Sequence, residues 1–200
     1  MKTEPLVVEN APSAGRPRDP RIGAAILHAT ADLLIEGGYS NLTMSAVAER
    51  AGTTKTALYR RWSSKAELVH EAAFPTTPTA IQAPPGDIAA DLRAMIEAAR
   101  DVFTSSVVRA ALPGLIADMS ADAALNDRVT ARFADLFGAV RTRLYAAIDR
   151  GEVRAGVDPD RLVELIGGAT LLAFLQAPDG LLGSAWVDSI AAILQHGVVT

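Results

Sequence analysis

The stretch TMSAVAERAGTTKTALYRRWSSKAEL, Thr43 to Leu68, decides how this chain folds. Thr43, Thr54 and Ser64 are each a hydroxyl residue set before a short run with apolar residues three and four apart. That is how a helix N-cap looks in sequence. Met44, Val47, Ala48 and Ala51 form the apolar face of one short helix, which Gly52 ends. Thr54 opens the next, expected to run about eight residues through Trp62, and Ser64 opens a third with Leu68, Val69, Ala72 and Ala73 turned inward. Two short helices joined by three or four residues around a glycine have the spacing of a helix-turn-helix.

A short exposed helix of this kind fits a DNA major groove about 12 Å wide. Its N-terminus presents free N–H groups and the positive end of the helix dipole, so Thr54 can cap the helix and also face a phosphate. The same holds for Thr43, and for Ser64 with Lys65. Lys55 and Thr56 stand at the entry of the recognition helix, where side chains reach base edges. Tyr59 and Arg60, one turn on, fit the flanking backbone. Trp62 completes a stripe with Leu58 and reads as core. Arg60 and Arg61 can also be read as an ordinary solvated face, Arg61 more so than Arg60.

Upstream, Asp19-Pro20 is a cap followed by proline at the first helical position. Ile22, Ala25, Ile26, Ala29 and Leu33 then predict an amphipathic helix of about four turns, stopped at Gly37-Gly38. Residues 1–18 read as a disordered basic arm, in which Arg16-Pro17-Arg18 is either a solvated tail or an element able to reach a minor groove. Domain boundaries follow: 19–74 for the DNA-binding unit and, after a proline-rich stretch from Pro75 to Pro85, 75–200 for a second helical domain.

The pattern Thr43-x-x-x-Val47-Ala48-x-x-Ala51-Gly52, then Thr54-Lys55-x-x-Leu58-Tyr59-x-x-Trp62-x-Ser64-Lys65-x-x-Leu68, resembles the DNA-binding segment of tetracycline-repressor (TetR) family regulators. The resemblance covers Pro20 to Glu71. It implies an all-α fold, with an N-terminal helix-turn-helix and a C-terminal helical domain for ligand binding and dimerisation. It also implies Tyr59 and Lys65 as phosphate anchors, and the last two helices as a face that pairs with its copy.

The second half is helical in period throughout. Ile88, Leu92, Met95, Ile96, Ala99 and Phe103 make one stripe; Val108, Leu112, Leu115, Ile116 and Met119 make another, which Pro113 should kink. Leu125 to Ile148 carries a stripe that predicts one helix from Asp122 to Gly151, about 28 residues and roughly 42 Å long. Met95, Phe103, Met119, Phe133 and Phe137 are candidates to line an apolar effector pocket, with Arg109 or His70 as a polar handle. Asp158-Pro159 repeats the cap-plus-proline start and leads into Leu165 to Leu175, eleven residues without a charge. A helix apolar on all sides needs cover on all sides. Leu165, Ala169 and Leu172, with Trp186, Ile190 and Ile193 of the final helix, are therefore the candidate homodimer interface.

Composition narrows the function. Half of the 200 residues are apolar, enough for a real core, and cysteine is absent, so disulfides and thiolate metal sites are impossible. The net charge of −4 is unevenly spread: residues 15–65 hold eight Lys and Arg against four acids, while the chain from Ala66 onward is acidic on balance. The basic end suits phosphate. Glu67-x-x-His70 has the spacing of a di-iron helix, but such bundles need that element twice, and neither His28 nor His196 has a glutamate three residues before it. No nucleophile elbow or phosphate-cradling glycine loop appears. The reading is a non-enzymatic cytoplasmic regulator without metal or cofactor, whose partners are an operator in double-stranded DNA, a second copy of itself and a small apolar effector. It is a repressor released from a pseudo-palindrome, and no membrane is involved. The competing reading is a helical small-molecule-binding protein without affinity for DNA.

Overall fold

The computed structural model describes residues 20–74, 87–154, 156–176 and 182–198, and among them there is no β-sheet. The helices are α1 Pro20–Asn41, α2 Met44–Arg50, α3 Lys55–Tyr59, α4 Lys65–Ala73, α5 Ile88–Thr104, α6 Ser106–Ala121, α7 Ala123–Arg132, α8 Ala134–Asp149, α9 Pro159–Gln176 and α10 Ser184–Val198. The basic arm and Asp19 lie outside the described residues, as does the stretch 75–86.

Local chemistry sets most of the boundaries. The Thr43, Thr54 and Ser64 hydroxyls accept from the amides of Ala46 (3.1 Å), Ala57 (3.2 Å) and Glu67 (3.2 Å). Each thereby satisfies one otherwise orphaned N–H. Gly52, at φ 63°, ends α2 in the left-handed region, with Thr53 N–H donating to Ala48 O at 2.9 Å and Gly52 N–H to Glu49 O at 3.1 Å. That pair of bonds is a Schellman closure, and a side chain at Gly52 would strain it. α1 leaves its helical path at Gly38, φ 70°.

Four expectations need correction. The recognition helix is shorter than eight residues, because the chain turns after Tyr59 to bury Trp62, whose Nε1 donates to Glu71 at 2.8 Å. In α1 the buried face runs through Ile26, Ala29, Thr30 and Leu34, whereas Ile22 is 42% exposed and Ala25 is also exposed. Thr30 tolerates burial because its hydroxyl donates to Ile26 O at 2.8 Å. Pro113 sits inside α6 on its exposed side, and the helix continues through it with one backbone bond fewer. The long helix expected from Asp122 to Gly151 is two helices, α7 and α8, divided at Phe133.

Two hydrophobic cores result. The first joins α1–α4 to α6 and α7 around Ile26, Leu34, Val47, Leu58, Leu68 and Leu115, and Phe174 of α9 reaches it. The second lies among α5, α8, α9 and α10 around Leu92, Ile96, Leu144, Leu162 and Val187. α5 and α6 meet at 79°, which sends them to different cores. The second core also encloses an ion pair, Arg143 forking onto Asp91, with both side chains nearly buried. No single helix among the described residues is long and apolar enough to cross a membrane.

Candidate nucleic-acid interface

Burial sorts the recognition segment into two faces. Leu58 is fully buried and Trp62 is 4% exposed, which fixes α3 against α1, α2 and α4. Thr43, Thr54, Lys55, Thr56, Tyr59 and Arg60 all lie at the surface, Tyr59 at 53% exposure. A phenol held out in water beside basic residues has no packing role that would explain it, whereas it suits a groove or a phosphate. The hydroxyls of Thr43 and Thr54 accept within their own helices and keep a hydrogen to donate outward.

Lys65 is placed differently. It is half-buried, and its Nζ donates to the Tyr39 carbonyl at 3.2 Å while lying 4.0 Å from the centre of the Tyr39 ring. An ammonium has three donors, so the carbonyl leaves two available. Tyr39 is itself gripped from α6: its hydroxyl donates to Asp118, and its ring lies against Gly114. Burial, reinforced by the Asp118 carboxylate, pushes the Tyr39 phenol well above its ordinary range, so it stays a neutral donor.

Other basic residues of this unit are turned inward or paired. Arg50 forks onto Glu36 at 2.8 and 2.9 Å, and the Arg61 guanidinium lies against Gly23 of α1.

α4 also touches the C-terminal half through its first turn. Glu67 accepts from Ser63 N–H at 2.7 Å, from Ser63 Oγ at 2.8 Å and from Arg128 of α7 at 2.6 Å. Beside this bridge is a cavity of about 200 Å³ lined by Glu67, His70, Arg128 and Val129. His70 is buried, with its ring centre 5.1 Å from that of Phe74 and 5.2 Å from that of Phe133. Burial works against the Glu67 charge, but the Ser63 and Arg128 donors outweigh it and hold the carboxyl below the usual carboxylate range. A lowered folded-state pKa means stability that is present above the unfolded value and lost as pH falls through the lowered one. Glu67→Gln is accordingly expected to cost about 1–3 kcal/mol at neutral pH, with the gap closing on acidification below the ordinary glutamate value of 4.5. Urea titrations of both proteins across that range decide it; a pH-independent gap would remove the charge from the explanation.

The pocket candidates separate. Met95 packs on the second core, while Phe103, Met119 and Phe133 pack on the first. Phe103 stacks toward Phe174, ring centres 6.4 Å apart, and the Arg109 guanidinium lies 5.6 Å from the Phe174 ring. The side chain of Phe137 lies outside the described residues.

The interface candidates lie on two helices that both pack on α5. On α9, Leu165 (60% exposed), Leu172 (57%) and Leu175 (56%) make an outward stripe with exposed Gly168 between, while Ala169 is half-buried at its edge. Ile193 on α10 is 67% exposed, whereas Trp186 and Ile190 are half-buried against the second core.

Sequence reasoning passed over Tyr39, Gly114, Asp118 and Arg128. Their partners lie 61 to 79 residues away where hydrogen-bonded, and no local pattern encodes such a pairing.

Comparison with known proteins agrees with this geometry. Residues 26–72 match the family of bacterial regulatory proteins named tetR, and residues 83–194 match the tetracyclin repressor-like C-terminal domain. An uncharacterized HTH-type transcriptional regulator of Mycobacterium tuberculosis is 38% identical over 164 residues, covering 78% of this chain and 79% of the relative. The DNA-binding transcriptional repressor TetR of Mycobacteroides abscessus is 34% identical over 145 residues, covering 69% and 73%. Among solved structures, Salmonella enterica GusR superposes with a TM-score of 0.65 at 17% identity, over 88% of this chain and 94% of that one. The fatty acid degradation regulator FadR of Bacillus halodurans gives 0.66 at 12% identity, over 90% and 96%. At those identities the likeness is one of fold. Both halves of the chain, matched separately, lead to one conclusion: the protein belongs to the TetR family of helix-turn-helix transcriptional regulators.

Proposed function

We propose that this protein is a homodimeric repressor that holds a pseudo-palindromic operator and releases it when a small, largely apolar molecule enters its C-terminal half. The observation that carries the reading is the exposed face of α3, where Lys55, Thr56, Tyr59 and Arg60 stand out from a helix whose other side is locked by Leu58. In this reading Lys55 and Thr56 meet base edges, and Thr43, Thr54, Tyr59, Arg60 and Lys65 meet phosphates. Residues 19–74 form the reading head and 75–200 the effector and dimerisation unit. Two copies related by a two-fold axis present their α3 helices to half-sites about 34 Å apart, or a multiple of that.

Release follows from where the cavity lies. Its wall includes α4, the helix that begins at Lys65, so a molecule wedged beside His70 and Arg128 displaces the same element that grips the backbone. At about 200 Å³, and with Glu67, His70 and Arg128 in its lining, the space admits an ordinary effector only by parting α4 from α7, which exposes the apolar side chains behind it.

The test is binding of the purified protein to DNA upstream of its own and neighbouring genes, titrated with salt. Tight binding to one pseudo-palindrome is expected. Tyr59→Ala and Lys65→Ala should each weaken it about tenfold or more; Lys65→Ala, which removes a cation, should also flatten the salt dependence by about one phosphate per protomer, whereas Tyr59→Ala should leave the slope nearly unchanged. A folded dimer that binds no fragment specifically would overturn the reading.

A further inference from the structure

We propose that Tyr39 is a positioning residue for DNA binding, through which α6 sets the place of the Lys65 ammonium; this rests on the reading of Lys65 as a phosphate contact.

Tyr39 stands where the two halves meet, and each part of it has a separate task. Its carbonyl and the face of its ring hold the Lys65 ammonium, at 3.2 Å and 4.0 Å. Its hydroxyl is tied to Asp118, and its ring rests on Gly114, both in α6. A lysine normally loses much rotamer freedom on meeting a phosphate. Here the ammonium is held beforehand, with two donors left over.

The ring contact with α6 falls beside a proline. Pro113 removes one backbone hydrogen bond, and Gly114 next to it adds backbone latitude. The glycine is required by space: a Cβ there would lie 2.8 Å from Tyr39 Cε1 and nearer still to two other ring carbons. Any bend or slide of α6 at Pro113-Gly114 therefore moves the ring, and with it the ammonium. The route runs from effector domain to phosphate anchor without passing along α4.

The test compares Gly114→Ala, Tyr39→Leu and Tyr39→Phe with Lys65→Ala and with the Gly114→Ala/Lys65→Ala double variant. The readout is operator affinity against salt concentration, after thermal melts and dimer mass establish that each variant is folded. Gly114→Ala and Tyr39→Leu should each lose about tenfold in affinity, with a salt slope shallower by about one per protomer. Tyr39→Phe, which keeps ring and carbonyl, should stay within about threefold of the parent. The double variant should bind no worse than Lys65→Ala alone, because both act through one ammonium. An unchanged slope in both Gly114→Ala and Tyr39→Leu, or additive losses in the double variant, would overturn the proposal. If Lys65→Ala itself leaves affinity and slope unchanged, the phosphate reading of Lys65 fails and the proposal with it.

Discussion

Leu165→Glu combined with Leu172→Glu is expected to give a folded monomer that no longer holds its operator. Both leucines project from α9 away from the second core, at 60% and 57% exposure, so the monomer loses almost nothing internally. Surface changes of this kind usually fall within about 0.5 kcal/mol. Across a two-fold axis the same changes bring four carboxylates together without partners, and each buried ion costs several kcal/mol. At about 1.4 kcal/mol per tenfold, dimerisation weakens by at least about a thousandfold. Operator affinity falls with it, since one reading head meets only half of a palindrome. Sedimentation velocity and fluorescence anisotropy with the operator measure the two losses. A variant that still sediments as the parent dimer would mean that the α9 stripe is not the interface.

Breaking the Asp91–Arg143 pair is the other large effect. The two side chains are 9% and 12% exposed, and the arginine donates from Nε and Nη2 to the two carboxylate oxygens. Arg143→Met strips Asp91 of its hydrogen-bonded partner and leaves only the more distant charge of Arg150, at an expected cost of about 3–5 kcal/mol. Against a total stability of about 5–15 kcal/mol that approaches unfolding. Asp91→Leu with Arg143→Met should recover most of the loss, because the pair's own net contribution is small once desolvation is counted. Equilibrium urea denaturation separates these outcomes. A single variant within about 1 kcal/mol of the parent would show that water reaches the site.

Legibility in the sequence followed the range of the interactions. Thr43, Thr54 and Ser64 marked three helix starts because a cap is decided within three residues. Gly52 and Gly38 marked two ends because their positive φ is a local requirement. The break at Phe133 had no such mark. The residues around it keep a helical pattern, and the chain divides where the Phe133 ring joins His70 and Phe74, 5.2 and 5.7 Å away between centres. The exposure of Lys55, Thr56 and Tyr59 was legible because Leu58 and Trp62 already claimed the inward face of that short segment. The junction at Tyr39 was not: a tyrosine after two glycines carries no sign of the carboxylate 79 positions on. Glu67 and His70 suggested a metal helix by spacing, but the glutamate is occupied by Ser63 and Arg128.

The paired cores bear on how such a regulator can be recombined. The core beneath the head does not end where the proline-rich stretch begins, for Val108, Ala111, Leu115, Leu125 and Val129 cover the head's inner side. A chimera cut only between residues 74 and 87 would seat α1 and α4 on a foreign α6 and α7, leaving a mismatched seam. Transplanting a new operator preference onto another sensor therefore calls for two segments, 20–74 and 106–132, moved together. The crossover points are then the linker, Ser105 and Phe133.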